Sequence, residues 1–292
     1  MGELLIRDRR SGAVFPERVF GGDALDRLYG TAHGRLLRRL LRTRPFNQIY
    51  GAWKRRRGSR EEIPRFVESL GIDATEAELP LDRYESLDAF FERRLQPGAR
   101  PVEADPSRLV APVDARALAF PACEALTVKR SRVELPVLLG DAALARRFAG
   151  GAAFVFRLAP ADYHRFHFPV DGVAGPSRRL PGGLESVHPI ALAAGARSFE
   201  NQRDVTLLET ARFGTLAMVE VGALLVGTIL QTYRPGAVAR GAEKGTFRFG
   251  GSTVVLLAEP GRVRIDDDLI STGPDALEVL VRMGSSIGAA GA

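Results

Sequence analysis

The chain has 292 residues, 45% hydrophobic and 26% charged, with a net charge of +6 at pH 7. This is the make-up of a soluble globular protein, long enough for one large domain or one domain with an extension. A single cysteine, Cys123, excludes an internal disulfide framework and reads as a buried thiol in a reducing compartment. The first ten residues lack the apolar stretch of a signal peptide. The longest apolar candidate, 217–230, is too short to span a bilayer and contains Glu220.

In chain order, Asp23 or Asp26 caps a helix expected from about Leu25. Leu25, Leu28, Tyr29, Leu36, Leu37, Leu40 and Leu41 fall at helical spacing, with arginines between the leucines. Residues 27–60 hold eleven Lys or Arg and no Asp or Glu, so the rest of the chain is net −5. An apolar stripe, basic shoulders, and Tyr50 and Trp53 suit a helix lying on an anionic membrane. A surface helix docked on its own domain, or a nucleic-acid site, fits the charges alone. No zinc-finger, RNP or helix-turn-helix pattern supports nucleic acid. Helices are expected at 61–71 and at 86–95, the latter capped by Ser86. A linker at 96–108 sets a boundary near residue 100. The first 100 residues are thus a helical, basic, membrane-facing region, and 101–292 a β-rich domain. Short β-type runs follow at 109–113, 117–120, 154–158, 205–209, 216–221 and 226–232, with a helix at 141–148 among them. The fold class is α+β, with an antiparallel, sandwich-like β-rich domain. The last residues, 285–292, are expected to fray.

Two further strand-like runs, 246–249 and 253–257, flank Gly250-Gly251-Ser252, which by itself reads as a hairpin turn ending in a serine. Gly251 has no Cβ, so a strained peptide and a close attacker are tolerated there. Of four histidines, His33 sits in the basic segment and has no assigned role. His164 and His167 lie in D-Y-H-R-F-H-F-P, bracketed by Pro160 and Pro169. Three positions apart on a strand, they face opposite sides and serve different sites. On a helical turn they would share a face and, with Asp162 or Asp171, hold a metal. The prolines favour the strand, and no metal site is assigned. Asp114, in A-P-V-D-A-R, is a carboxylate able to orient an imidazole. No nucleophile elbow, P-loop or dinucleotide fingerprint is present.

Several stretches together resemble the phosphatidylserine decarboxylase family of pyruvoyl enzymes. They are F-F-E-R-R-L-Q-P-G-A-R-P (90–101), L-V-A-P-V-D (109–114), D-Y-H-R-F-H-F-P-V-D-G (162–172), N-Q-R-D-V (201–205), A-M-V-E-V-G-A-L-L-V-G-T-I (217–229) and G-A-E-K-G-T-F-R-F-G-G-S-T-V-V-L-L (241–257). They occur in the family's order over about residues 86–257. The resemblance implies self-cleavage of the Gly251–Ser252 bond, with Ser252 becoming a covalent pyruvoyl cofactor. It implies Asp114, His167 and Ser252 as the cleavage triad, and His164 as the group for decarboxylation or protonation, with Tyr163 lining the pocket. Phosphatidylserine is the implied substrate, phosphatidylethanolamine and carbon dioxide the products. The two fragments are expected to stay associated, and the protein to sit peripherally on the cytoplasmic side of the cell membrane through 27–60; a homo-oligomer is compatible with the pattern. Three positions depart from the family: Ala115 replaces a glycine, His188 an asparagine, and Gly250 a bulkier apolar residue. Competing expectations are a pyruvoyl decarboxylase for another headgroup or an amino acid, a non-catalytic lipid-binding protein, and a metal hydrolase.

Overall fold

The computed structural model of the chain describes residues 4–17, 27–31, 33–34, 37, 41, 43–224, 228–248, 252–271, 273 and 276–291. The helix start expected at Asp23 or Asp26 lies outside them, as do Phe249, Gly250 and Gly251. The strands that build the site are β1 (Leu5–Asp8), β2 (Val14–Pro16), β3 (Ala115–Cys123), β4 (Gly151–Leu158), β5 (Arg165–His167), β6 (Arg203–Glu209), β7 (Thr215–Gly222), β8 (Ile229–Gln231), β9 (Glu243–Phe247), β10 (Ser252–Ala258), β11 (Glu278–Val281) and β12 (Ser286–Ala290).

An eleven-stranded sheet carries the order β6-β7-β10-β4-β3-β11-β1-β2 over most of its width. Its central strands pair antiparallel. Side chains alternate across it, as a pleated strand requires. Along β10, Val254, Leu256 and Ala258 enter one core with Phe154, Phe156 and Met218. Val255 and Leu257 enter the other with Val155, Val219 and Leu192. Both faces are covered, which is why the central runs are apolar without a polar alternation. A small sheet, β8-β9-β5, contributes Ile229, Phe247 and Phe166 to the first core. The architecture is α+β.

The N-terminal region docks through helices α1 (Arg44–Lys54), α2 (Ile63–Leu70) and α3 (Leu87–Phe91). Pro64 sits in the first turn of α2, where its missing N–H costs nothing, and Gly71 ends the helix in the left-handed region at φ 64°. Ser86 caps α3, its hydroxyl accepting from the Ala89 N–H at 3.1 Å. Ile63, Phe66, Leu70, Tyr84, Leu87, Phe90 and Phe91 form a separate core. Fully buried, Phe90 and Phe91 each contribute roughly 2 kcal/mol of apolar burial.

Three features differ from the sequence reading. The arms around Gly250-Gly251 do not form a hairpin: β9 belongs to the small sheet and β10 to the large one. The C-terminal residues are not frayed as far as Ala290, because β12 pairs with Arg108–Val110 and Val263–Ile265. Finally, the start of the chain contains strands, and β1 runs parallel to β11 across the expected boundary near residue 100. Each partner is distant in sequence, so local pattern does not reveal the pairing.

Candidate active site

Ser252 opens β10 at the middle of the large sheet, opposite Leu158 on β4 and Gly222 on β7. It is fully buried, and its Oγ has no hydrogen-bond partner among the described residues. Buried hydroxyls are almost always bonded, so an orphaned one marks a place where chemistry or strain has displaced the usual partner. Upstream, the Phe247 N–H donates to the His164 carbonyl at 3.0 Å and the Arg248 N–H to Thr228 at 3.2 Å. The chain is thus anchored beside His164 at 247, beside Thr228 at 248 and in the large sheet at 252. Four Cα steps span at most roughly 14 Å, which bounds the distance from Arg248 to Ser252.

His164 is fully buried. Its Nδ1 lies 2.9 Å from the Asp162 carbonyl, and its ring lies tilted against Phe91, 3.7 Å between centroids. A carbonyl only accepts, so Nδ1 carries a proton and Nε2 is the ring atom turned to other partners. His167 has different neighbours. Its N–H donates to the Pro112 carbonyl at 2.8 Å, and its ring lies 5.6 Å from that of Tyr163. Its Nδ1 is buried without a hydrogen-bond partner. Burial pushes the His167 imidazole down to about 4, against the opposing pull of Glu243, the Pro112 carbonyl and Asp114. It is therefore neutral, and able to accept a proton, at pH 7.

Asp114 is buried after Val113, but its hydrogen bonds go elsewhere than to His167. Arg100 forks onto it, Nε at 2.9 Å to both oxygens and Nη2 at 2.6 Å, and the Met283 N–H donates at 2.8 Å. No hydrogen bond joins it to the imidazole, so its effect on His167 is through space. Three groups around the site were not singled out by sequence reading: Phe91, which fixes the His164 ring, Arg100, and Arg116, which pairs with Asp162. Phe91 and Arg100 lie within the motif at 90–101, but nothing in the spacing says which side chain turns toward a histidine 73 residues away. Ala115, one of the departures from the family, begins β3 and is fully buried. His188 caps the helix Pro189–Ala193, its Nδ1 accepting from the Ile190 N–H.

Fold and site define an α+β protein with a buried serine at the head of a central strand and two buried histidines on a smaller sheet and its lead-in. The sequence profile described as phosphatidylserine decarboxylase matches residues 87–289. The chain is 43% identical to a phosphatidylserine decarboxylase proenzyme of Chlamydia muridarum and 42% identical to that of Chlamydia trachomatis serovar D. It is 37% identical to the one from Ruminiclostridium cellulolyticum. Each similarity covers 98% of this chain and 97% of the relative. The chain belongs to the phosphatidylserine decarboxylase family, a family of carboxy-lyases. No helix among the described residues is long and apolar enough to cross a membrane.

Proposed function

We propose that this chain is a proenzyme that cuts its own Gly251–Ser252 bond, turns Ser252 into a pyruvoyl group, and decarboxylates phosphatidylserine to phosphatidylethanolamine. The observation that carries the reading is the buried Ser252 hydroxyl at the head of a central strand, without a hydrogen-bond partner among the described residues. That hydroxyl fits a residue that is consumed, because converting it sacrifices no hydrogen bond.

Ser252 Oγ attacks the Gly251 carbonyl, and its proton passes to neutral His167. The amide nitrogen leaves as the Ser252 amine, and an ester takes its place. Elimination from that ester releases residues 1–251 with a new carboxylate and leaves dehydroalanine at 252. Water then displaces the nitrogen as ammonia, and a pyruvoyl group remains. Proximity of a neighbouring hydroxyl replaces a separate protease. Asp114 favours the charged imidazole through space, while Arg100 and the Met283 N–H hold the carboxylate still.

A pyruvoyl group at 252 supplies a carbonyl electron sink for loss of carbon dioxide. His164 then takes up a proton from solvent at Nε2 and passes it to the substrate carbon, its ring held by Phe91 and the Asp162 carbonyl. The small fragment stays bound after cutting, since β10 lies between β7 and β4, and β11 between β3 and β1. The α1 region carries the protein on the cytoplasmic side of an anionic membrane. Ile49 and Trp53 are 72% and 49% exposed there, and Arg55, Arg56, Arg57 and Arg60 are exposed beside them. Lys54 takes no part, being buried under Trp53 and paired with Glu62 at 2.5 Å.

Intact-mass analysis of the purified protein tests the proposal. The expected result is two chains broken at 251/252, the 41-residue chain blocked by pyruvoyl. A single uncut wild-type chain would sink it.

A further inference from the structure

Just beyond β2, the Glu17 side chain is 1% exposed, and it lies between two buried arginines. Its Oε1 is 2.6 Å from Arg116 Nε and its Oε2 is 2.8 Å from Arg157 Nη2. Arg157 also donates from Nε to Glu278 at 2.9 Å. Arg116 also pairs with Asp162. Asp162 in turn accepts from the Ala159 N–H at 2.6 Å, and its carbonyl accepts from His164 Nδ1 at 2.9 Å. Four buried groups of alternating charge, Glu278, Arg157, Glu17 and Arg116, therefore lead to the partly buried Asp162, whose carbonyl faces His164 Nδ1.

The register puts this ladder next to both halves of the site. Arg116 and Arg157 sit side by side on β3 and β4, and Arg157 is opposite Thr253, the residue after Ser252. Two neighbouring guanidiniums repel in a buried setting. Glu17 is the carboxylate they share. Burial raises the Glu17 carboxyl, but Arg157 and Arg116 more than reverse this and hold it below its ordinary range, so it is ionised at pH 7. Glu17 also lies outside residues 87–289, the part of the chain matched by the family profile.

We infer that Glu17 is a positioning residue: through Arg116 and Asp162 it sets His164, and through Arg157 it sets the strand that begins with Ser252. The inference rests on the roles given above to His164 and Ser252. It assigns the N-terminal hairpin a part in catalysis that is separate from membrane contact.

The test compares Glu17→Gln with Ile6→Ala in the full-length proenzyme. Ile6 is buried in the same hairpin and is not part of the ladder. Self-cleavage is followed by intact mass, turnover of phosphatidylserine in mixed micelles by kcat and KM, and folding by Tm. Glu17→Gln is expected to slow self-cleavage and to lower kcat at least tenfold with KM within twofold. Ile6→Ala is expected to lower Tm while keeping kcat, and Glu17→Asp to recover part of the lost kcat. Unchanged kcat in Glu17→Gln, or an equal kcat loss in Ile6→Ala at matched Tm, would overturn the inference. If Glu17→Gln yields no folded protein, Glu17→Asp against Ile6→Ala decides on the same readouts: kcat falls in the first and not the second, or the inference fails. His164→Ala runs alongside, and normal turnover in that variant would refute the site reading itself, whatever Glu17 does.

Discussion

The site and the basic helix α1 handle surface in opposite ways. Ser252 and His164 are fully buried and His167 nearly so, while Ile49 and Trp53 on α1 lie open to solvent. Polar groups hidden from water carry sharpened chemistry, since desolvation moves their proton affinities and strengthens every nearby charge. Apolar groups left in water have no folding benefit to offer, and only a second apolar phase rewards them. On the proposed function, the first region serves bond breaking and the second reaches a substrate held in a bilayer. Changes in one should therefore leave the property of the other intact.

The largest expected effect is that of Ser252→Ala, which leaves a single 292-residue chain by intact mass, still able to bind anionic vesicles. His167→Ala slows self-cleavage by about a hundredfold or more, the usual contribution of a positioned base. His164→Ala cuts normally yet turns over phosphatidylserine about a hundredfold or more slowly. Loss of cutting in His164→Ala would merge the two histidine roles and break the division drawn from their separate neighbours.

Acid gives a subtler separation. His167 stands at about 4 when folded, against an ordinary value of 6.5. Initial self-cleavage in a pH-jump experiment should thus stay near its maximum through pH 6 and halve near pH 4. Halving near 6.5 would show that burial does not control this base. The sign for stability follows. A histidine depressed by folding contributes fully above pH 6.5, and the contribution is lost as pH falls toward 4. For His167 this amounts to about 3 kcal/mol, measurable as a falling denaturant midpoint. The smallest effects belong to the basic residues that follow α1. Each of Arg55→Ala and Arg57→Ala should weaken binding to phosphatidylserine-containing vesicles about fivefold at low salt, with self-cleavage unchanged.

Much of the catalytic domain was readable before any coordinates. Runs at 154–158, 205–209 and 216–221 are strands, and Asp141 caps its helix by accepting from the Ala143 and Leu144 N–H groups. These features are set by neighbours in sequence. The hairpin expected at Gly250-Gly251 was wrong because which sheet a strand joins depends on partners such as Leu158 and Gly222, far away in the chain. The strand nature of Ser286–Ala290 was hidden for the same reason, as Gly288 and three alanines or serines around it carry little intrinsic β signal. Lys54 looked like one more membrane-facing cation, but burial and Glu62 internalise it.

By itself the sequence determined the chemistry on offer: one serine after two glycines, two histidines three apart, a carboxylate at 114, and a basic amphipathic segment. Covalent composition and short-range spacing are enough for that. Only the tertiary structure decided how these groups are held. It set Arg100 rather than His167 on Asp114, Phe91 against His164, and Glu17 between Arg116 and Arg157. Those contacts join residues far apart in the chain, and buried charges accept partners according to geometry and desolvation, neither of which is written in local pattern.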